Sequence, residues 1–287
     1  MKYIVTTVLL LLSVSLFSQE NSKANFDKRE VYIEMRDGTK LFTAIYTPKD
    51  ISKDNKYPIL MERTCYSIAP YGEEKFQKHL GPNDFLQKDK YIFVYQDVRG
   101  RYMSEGVFTN MTPQVAHKTK KDIDESTDTY DTGKVGQYGT SYPGFYTAAG
   151  TIANHPALVA SSPQAPVSDF FFDDFHHNGA FSMGYFQTFP VFGVQKTKAE
   201  TKDWYLDQFI KPKSRDGSIF YNELGTLKEG VDKYYPNNFF MQEMVSHPSY
   251  DEFWQSRNLL PHLKGINHAV LIVGGWFDAE DLAGALN

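Results

Sequence analysis

The order of apolar and polar positions predicts a sheet that begins with a hairpin and continues with buried strands. Residues 31–35 and 40–46 are strand-like runs joined by Asp37-Gly38, a pair that favours a tight antiparallel turn. Continuous apolar runs predict further strands, one ending at Gly139 and others at residues 58–61, 91–97, 157–160 and 268–273. Strands that alternate with helices after an initial hairpin predict an α/β fold with a mostly parallel sheet.

The helical and irregular stretches complete this picture. Residues 147–153 predict a helix, and the mixed stretch at 72–90 is predicted to be largely helical. Residues 168–263 have no regular strand period and are too many for a connecting loop, so we expect an inserted helical cap. The core is therefore divided into residues 19–167 and 264–287.

One interval fits this scheme poorly. A crossover helix should return the chain to the parallel strand before Gly139, and residues 120–131 are the available segment. Ile123 and Tyr130 are its only apolar anchors, so the predicted helix lacks the face that it should bury.

The N-terminus predicts a secretory signal peptide at residues 1–18. Lys2 precedes an apolar run at 3–17, and residues 18–22 turn polar. That run is too short for a transmembrane helix, which needs about 20 apolar residues. We therefore expect a periplasmic or secreted protein without a stable membrane anchor. The single cysteine, Cys65, excludes an internal disulfide.

Composition narrows the choice of partners. The 287 residues carry a net charge of −5 without a basic cluster, so we expect no nucleic-acid partner. His176 and His177 stand near Asp173 and Asp174, but adjacent histidines point to different faces, and we expect neither a metal nor a cofactor. Formation of a homo-oligomer is left open.

Ser141 lies between a predicted strand and a predicted helix, which is the layout of a nucleophile elbow. Gly139 and Gly144 allow a tight turn, although Pro143 occupies the position of the usual second glycine. A helix N-terminus below the serine would offer N–H groups to an oxyanion. From these residues alone, a catalytic serine and an ordinary turn serine both remain open.

Five separated stretches together resemble one family, the α-amino-acid ester hydrolases and acyltransferases. That family is grouped with cocaine esterase and the X-Pro dipeptidyl-peptidases among the α/β-hydrolases. The matching stretches lie in the expected order over nearly the whole mature chain, at residues 62–66, 94–106, 139–145, 162–175 and 274–281.

The resemblance implies a role for each matching site residue. Ser141 would be the nucleophile, and the Tyr142 backbone N–H and the Tyr66 hydroxyl would bind the oxyanion. Asp278 would be the carboxylate that orients a catalytic histidine. The structural alternatives are a packing role for Tyr66 and a helix-capping role for Asp278.

In the amino-ester branch, an acidic cluster holds the substrate's α-ammonium group, and Asp174, Glu280 and Asp281 match its members. Convergent carboxylates repel one another unless a cation joins them, so such a cluster selects an amine. The alternative is a solvated acidic helix start. Asp97 and Arg99 resemble the family's structural turn and are expected to support the fold.

The sequence departs from the family at the triad histidine, because all eight histidines precede Asp278. The family's later histidine loop and C-terminal jelly-roll domain have no counterpart, so we expect an incomplete sequence, either a fragment or a faulty gene model. The leading hypothesis is a serine hydrolase or acyltransferase acting on small α-amino acid esters or amides. The alternatives are an X-Pro dipeptidyl-peptidase, a general carboxylesterase, and an inactive remnant or ligand-binding module.

Overall fold

A computed structural model describes residues 22–119, 122–128, 134–211, 214, 216–281 and 284–287 of the chain. The predicted signal peptide at 1–18 lies outside these residues. Within these ranges, no helix combines the length and the apolar character needed to cross a bilayer.

A central sheet of seven strands organises the chain, and a separate hairpin of two short strands lies after it. The strands are β1 Phe26–Glu34, β2 Lys40–Pro48, β3 Ile59–Thr64, β4 Ile92–Asp97, β5 Val135–Thr140, β6 Leu158–Gln164, β7 His176–His177, β8 Ala180–Phe181 and β9 Ala269–Val270. Strands β7 and β8 form the hairpin. All of the predicted sheet strands are present, although β9 is shorter than the predicted run at 268–273.

The sheet order is β1-β2-β4-β3-β5-β6-β9. The first two pairings, β1 with β2 and β2 with β4, are antiparallel, and every later pairing is parallel. The mostly parallel α/β sheet predicted from the sequence is therefore confirmed. Because Thr140 pairs with Gln164, the carboxyl ends of β5 and β6 meet beside Ser141.

The helices differ more from the expectation. Between residues 72 and 90 only α1, Asp84–Lys88, is helical, so the prediction of a largely helical stretch was wrong. The carboxamide of Asn83 caps this helix and fixes its start, and the preceding residues form turns. Helix α2, Tyr142–Ile152, starts directly after Ser141, five residues before the predicted 147–153 helix.

Between β6 and β9 the chain forms short helices. They are α3 Tyr185–Thr188, α4 Gly217–Leu224, α5 Leu227–Tyr234, α6 Phe239–Ser246 and α7 Glu252–Gln255, with 3-10 turns at Phe189–Phe192, Leu206–Gln208 and Leu260–His262. Aromatic side chains from this segment, among them Phe240 and Trp254, share one buried core with Phe145 and Tyr146 of α2. This packing places the segment against α2, the helix that follows Ser141.

The crossover between β4 and β5 is held by charge rather than by an apolar helix. Residues 122–128 form turns, and the rest of the predicted 120–131 helix lies outside the described residues. Buried Glu125 pairs with Arg63, and buried Asp128 accepts two hydrogen bonds from Arg99. These ion pairs replace the apolar face that the segment lacks.

Candidate active site

Ser141 sits in a strained turn between β5 and α2. Its backbone has φ 64° and ψ −124°, a region that a residue with a Cβ rarely adopts. The Ser141 amide donates to the Gln164 carbonyl oxygen at 3.0 Å, which ties the turn to the neighbouring strand. The strand, turn and helix form the elbow that the sequence predicts.

The spacing of the two glycines follows from this crowding. A Cβ on Gly139 would lie 2.3 Å from the Pro143 carbonyl oxygen, and one on Gly144 would lie 2.7 Å from the Gln164 carbonyl oxygen. Both neighbours are backbone atoms that cannot move aside cheaply. Gly144 stands one position later than the second glycine of the usual motif. It still allows close contact between the helix and the sheet.

The Tyr142 amide and the Tyr66 hydroxyl are the two groups predicted to donate to an oxyanion at Ser141, and these roles stay predictions. The Tyr142 amide lies at the start of α2, where the first amides of a helix have no carbonyl partner within the helix. The Tyr142 phenol is buried, accepts a hydrogen bond from the Met111 amide and donates to Asn110 Oδ1, so its own role is structural. The Tyr142 backbone N–H lies at the N-terminus of α2, and a helix N-terminus favours an anion.

Tyr66 follows β3, and its backbone amide donates to Thr64 Oγ1. Its ring lies 6.5 Å from the Tyr142 ring and 5.9 Å from that of Phe192. Partial loss of water around the ring raises the pKa of the phenol, and the nearby charges of Glu280 and Asp174 raise it further, so the hydroxyl stays protonated although the side chain is 45% exposed. A neutral phenol can donate a hydrogen bond.

The Ser141 hydroxyl donates to Glu280 Oε1 at 2.6 Å, across 139 residues of sequence. Glu280 belongs to the 3-10 turn Ala279–Asp281 and is buried. The hydrogen of the candidate nucleophile is thus directed at a carboxylate that the sequence had assigned to the substrate amine.

Asp174 lies in the same region, in the π-helical turn Phe171–Phe175, and is buried. Burial raises its pKa well above the usual value, and the charges of Glu280, Asp173 and Asp278 raise it further. The Tyr185 hydroxyl donates to Asp174 Oδ1 at 3.1 Å and opposes this rise. The structure therefore groups Asp174 with Glu280, and the side chain of Asp281 lies outside the described part.

Asp278 is exposed, on a segment whose side chains from Leu271 to Phe277 are exposed as well. Its Oδ1 accepts from the Glu280 amide at 3.4 Å, which is the capping contact that the sequence left as the alternative. The described residues show no hydrogen bond between a histidine and either Asp278 or Ser141. The triad role of Asp278 therefore stays a prediction.

The remaining candidates have structural contacts. His176 stacks on Phe171 at 4.0 Å, and His177 Nε2 lies 3.0 Å from the Asp173 carbonyl oxygen. Across the described ranges no group of three or more His, Cys, Asp or Glu side chains could hold a metal ion. Asp97 accepts hydrogen bonds from the Ile68 amide and the Tyr71 hydroxyl, in keeping with a fold-supporting role.

Sequence reasoning missed Tyr185 and Arg101. Tyr185 is one of many aromatic residues in the inserted segment, and nothing in its local sequence marks it as a partner of Asp174. Arg101 lies inside one of the five matching stretches, but its contacts depend on chain segments far away in sequence.

Comparisons with known proteins identify the family. The model of the X-Pro dipeptidyl-peptidase (S15 family) matches residues 37–287. A cocaine esterase from Rhodococcus sp. (strain MB1 Bresler) is 26% identical, over 86% of this chain and 43% of that protein.

Solved structures of similar proteins support the same family. An α-amino acid ester hydrolase has 29% identity and a TM-score of 0.76, covering 91% of this chain and 44% of that chain. An aminopeptidase from the marine sediment archaeon Thaumarchaeota archaeon has 32% identity and a TM-score of 0.76, and the match covers 91% of this chain and 45% of that chain. A CocE/NonD family hydrolase from Staphylococcus aureus has 17% identity and a TM-score of 0.51, and the match covers 83% of this chain and 39% of that chain. This similarity supports the fold.

This chain spans less than half the length of the relatives described here. The match nevertheless takes in the whole sheet from β2 onward, the elbow and the acidic turn at Ala279–Asp281. The chain has the α/β-hydrolase fold and belongs to the X-Pro dipeptidyl-peptidase S15 family, with its CocE/NonD-like hydrolases.

Proposed function

We propose that the protein is an exported serine hydrolase or acyltransferase that acts on α-amino acid esters or amides through an acyl-enzyme on Ser141. The observation that carries this proposal is the contact of the Ser141 hydroxyl with Glu280, beside buried Asp174. This contact supports a nucleophile that lies next to a site for a cation. The signal-peptide pattern of residues 1–18 supports export.

In the proposed reaction, Ser141 Oγ attacks the substrate carbonyl carbon and the carbonyl oxygen becomes an oxyanion. The Tyr142 amide and the Tyr66 hydroxyl donate to that oxyanion. The C–O or C–N bond to the leaving group then breaks, and the leaving group takes up the proton that the Ser141 hydroxyl gave up. Water, or an acceptor amine in the transfer reaction, then attacks the acyl carbon; the bond from that carbon to Ser141 Oγ breaks, and a proton from the attacking group returns to Ser141 Oγ.

The acidic pair gives the proposed selectivity. Burial raises the pKa of Asp174, and repulsion from the Glu280 carboxylate raises it further, because two carboxyl groups in a buried site repel each other when both are ionised. A substrate ammonium between Asp174 and Glu280 would relieve that repulsion, whereas a des-amino analogue would not. The site is therefore proposed to prefer acyl groups with a free α-amine.

A peptidase that releases dipeptides ending in proline is the second candidate, and the S15 family match favours it. Such a substrate also has a free α-amine, so the same two carboxylates would hold it. An X-Pro anilide compared with an amino acid methyl ester separates the two candidates, because only the peptidase should prefer the former.

The test uses a fluorophosphonate probe on the chain itself, with Ser141→Ala as the control. We expect wild-type labelling at Ser141, and protection by an amino acid methyl ester that its des-amino analogue does not give. Equal protection by both compounds would reject the amine selectivity. Failure of wild type to label would reject the acyl-enzyme and favour an inactive remnant.

A further inference from the structure

Arg101 is a fully buried cation at the turn that follows β4. Among the residues that the structure describes, no carboxylate lies within ion-pair distance of its guanidinium. A buried charge without an ion pair is costly, so a structure retains one only where other contacts compensate for the lost water.

Aromatic rings provide that compensation. The guanidinium carbon lies close to the ring centroids of four residues, at 4.5 Å from Trp204, 4.9 Å from Phe108, 5.1 Å from Tyr205 and 5.6 Å from Tyr102. The electron-rich faces of such rings attract a cation, most strongly where water is excluded. The cage therefore fixes the position of the guanidinium.

Arg101 uses this fixed position to hold two separate segments. Its Nε donates to the Cys65 carbonyl oxygen at 3.0 Å, and its Nη1 donates to the Val191 carbonyl oxygen at 3.2 Å. Cys65 directly precedes Tyr66. Val191 directly precedes Phe192, whose ring packs against both Tyr66, at 5.9 Å, and Tyr142, at 5.2 Å.

We infer that Arg101 is a positioning residue that sets the Tyr66 hydroxyl opposite the Tyr142 amide in the oxyanion site. This inference rests on the proposed function of that site. The backbone carbonyl before Tyr66 and the aromatic wall beside it share one anchor, so neither can shift without the other. The planar fork of arginine bonds both carbonyls at once, which the single ammonium of lysine does not reproduce in the same geometry.

The test is a double-mutant cycle between Arg101→Lys and Tyr66→Phe, read by the rate of fluorophosphonate labelling at Ser141. Loss of an oxyanion donor costs about 10²- to 10³-fold, so we expect that loss for Tyr66→Phe. Arg101→Lys should slow labelling about 10- to 100-fold alone, and less than about 3-fold in the Tyr66→Phe background. Equal losses in both backgrounds would overturn the inference.

Arg257→Lys is the matched control. Arg257 lies 3.7 Å from the Phe253 ring and bonds the Phe253 carbonyl oxygen, so it is also a partly buried arginine on an aromatic ring, and among the described residues it makes no hydrogen bond to Cys65, Tyr66 or Val191. It should alter the melting temperature without a Tyr66-dependent change in labelling. If Arg101→Lys does not fold, Trp204→Leu loosens the same cage and should give the same non-additive pattern; an additive pattern would reject the inference.

A second readout does not depend on reactivity. With 3-fluorotyrosine incorporated, the Tyr66 ¹⁹F resonance is assigned by its disappearance in Tyr66→Phe. Arg101→Lys should shift or broaden that resonance, and Arg257→Lys should not. If fluorophosphonate fails to label Ser141 in the wild type, that result counts against the proposed function alone. An unchanged Tyr66 resonance in Arg101→Lys would count against the positioning role.

Discussion

Replacement of Asp174 by asparagine should make the protein more stable and less selective at the same time. Asparagine has nearly the same shape, and its carbonyl oxygen can still accept the hydrogen bond from Tyr185. The charge alone is removed. Because burial and the charge of Glu280 raise the pKa of Asp174 well above 3.8, this carboxyl group makes the folded state less stable at neutral pH than at low pH, and a neutral amide has no such penalty.

The sign follows from proton linkage. Between the two pKa values the folded protein binds more protons at Asp174 than the unfolded chain does, so stability falls as pH rises through that window. Each unit of pKa difference corresponds to about 1.4 kcal/mol. Asp174→Asn should therefore raise the melting temperature at neutral pH and flatten its fall with rising pH.

The same substitution should weaken the binding of ligands that have a free amine. A hydrogen bond between an ammonium group and a carboxylate contributes about 1.5–3 kcal/mol, which is about 10- to 150-fold in affinity. Protection of Ser141 from fluorophosphonate by an amino acid amide should weaken by that factor in Asp174→Asn. Protection by a des-amino analogue should not change.

Asp173→Asn is the matched control. The Asp173 carboxylate accepts hydrogen bonds from the backbone amides of Ser168, Asp169 and Gly284, and an amide group cannot accept all three. This neighbouring substitution should lower the melting temperature. If Asp174→Asn is also less stable at neutral pH, or if it keeps full discrimination for the amine, the assignment of Asp174 to an amine site is refuted.

Two further substitutions test the elbow and the turn after β4. Gly144→Ala places a Cβ 2.7 Å from the Gln164 carbonyl oxygen. It should lower the free energy of unfolding by about 1–3 kcal/mol and slow the labelling of Ser141. Gly184→Ala is the control: its Cβ would have no atom within 4 Å, so it should change neither quantity. Equal effects in both variants would contradict the packing argument. Burial raises the pKa of Asp97 to about 7, so urea unfolding should show stability falling by up to about 4 kcal/mol from about pH 4 to about pH 7. Asp97→Asn should remove that slope, though it also loses the acceptor for Tyr71, and a slope that persists would show that another group titrates.

Local sequence patterns were sufficient for much of the framework. The Asp37-Gly38 turn, the buried run of β4 and the position of Ser141 between strand and helix depend on residues close together in the chain. The prediction failed at 72–90, where polar turns cover the sheet and only Asp84–Lys88 is helical. Phe76 and Leu80 lie outside a helix there and join one buried cluster with side chains of β2 and β4, and the Phe76 ring lies 5.7 Å from the Tyr46 ring.

The chain alone determined which residue types stand at the ends of the strands, because strand and turn preferences act over a few neighbouring positions. Tertiary structure decided which of those residues meet. The Ser141–Glu280 hydrogen bond spans 139 residues, and the contacts of Arg101 join segments 36 and 90 residues away. Such contacts depend on how the inserted helices pack over the sheet, and packing is set by the shape of the whole core, which no local pattern contains.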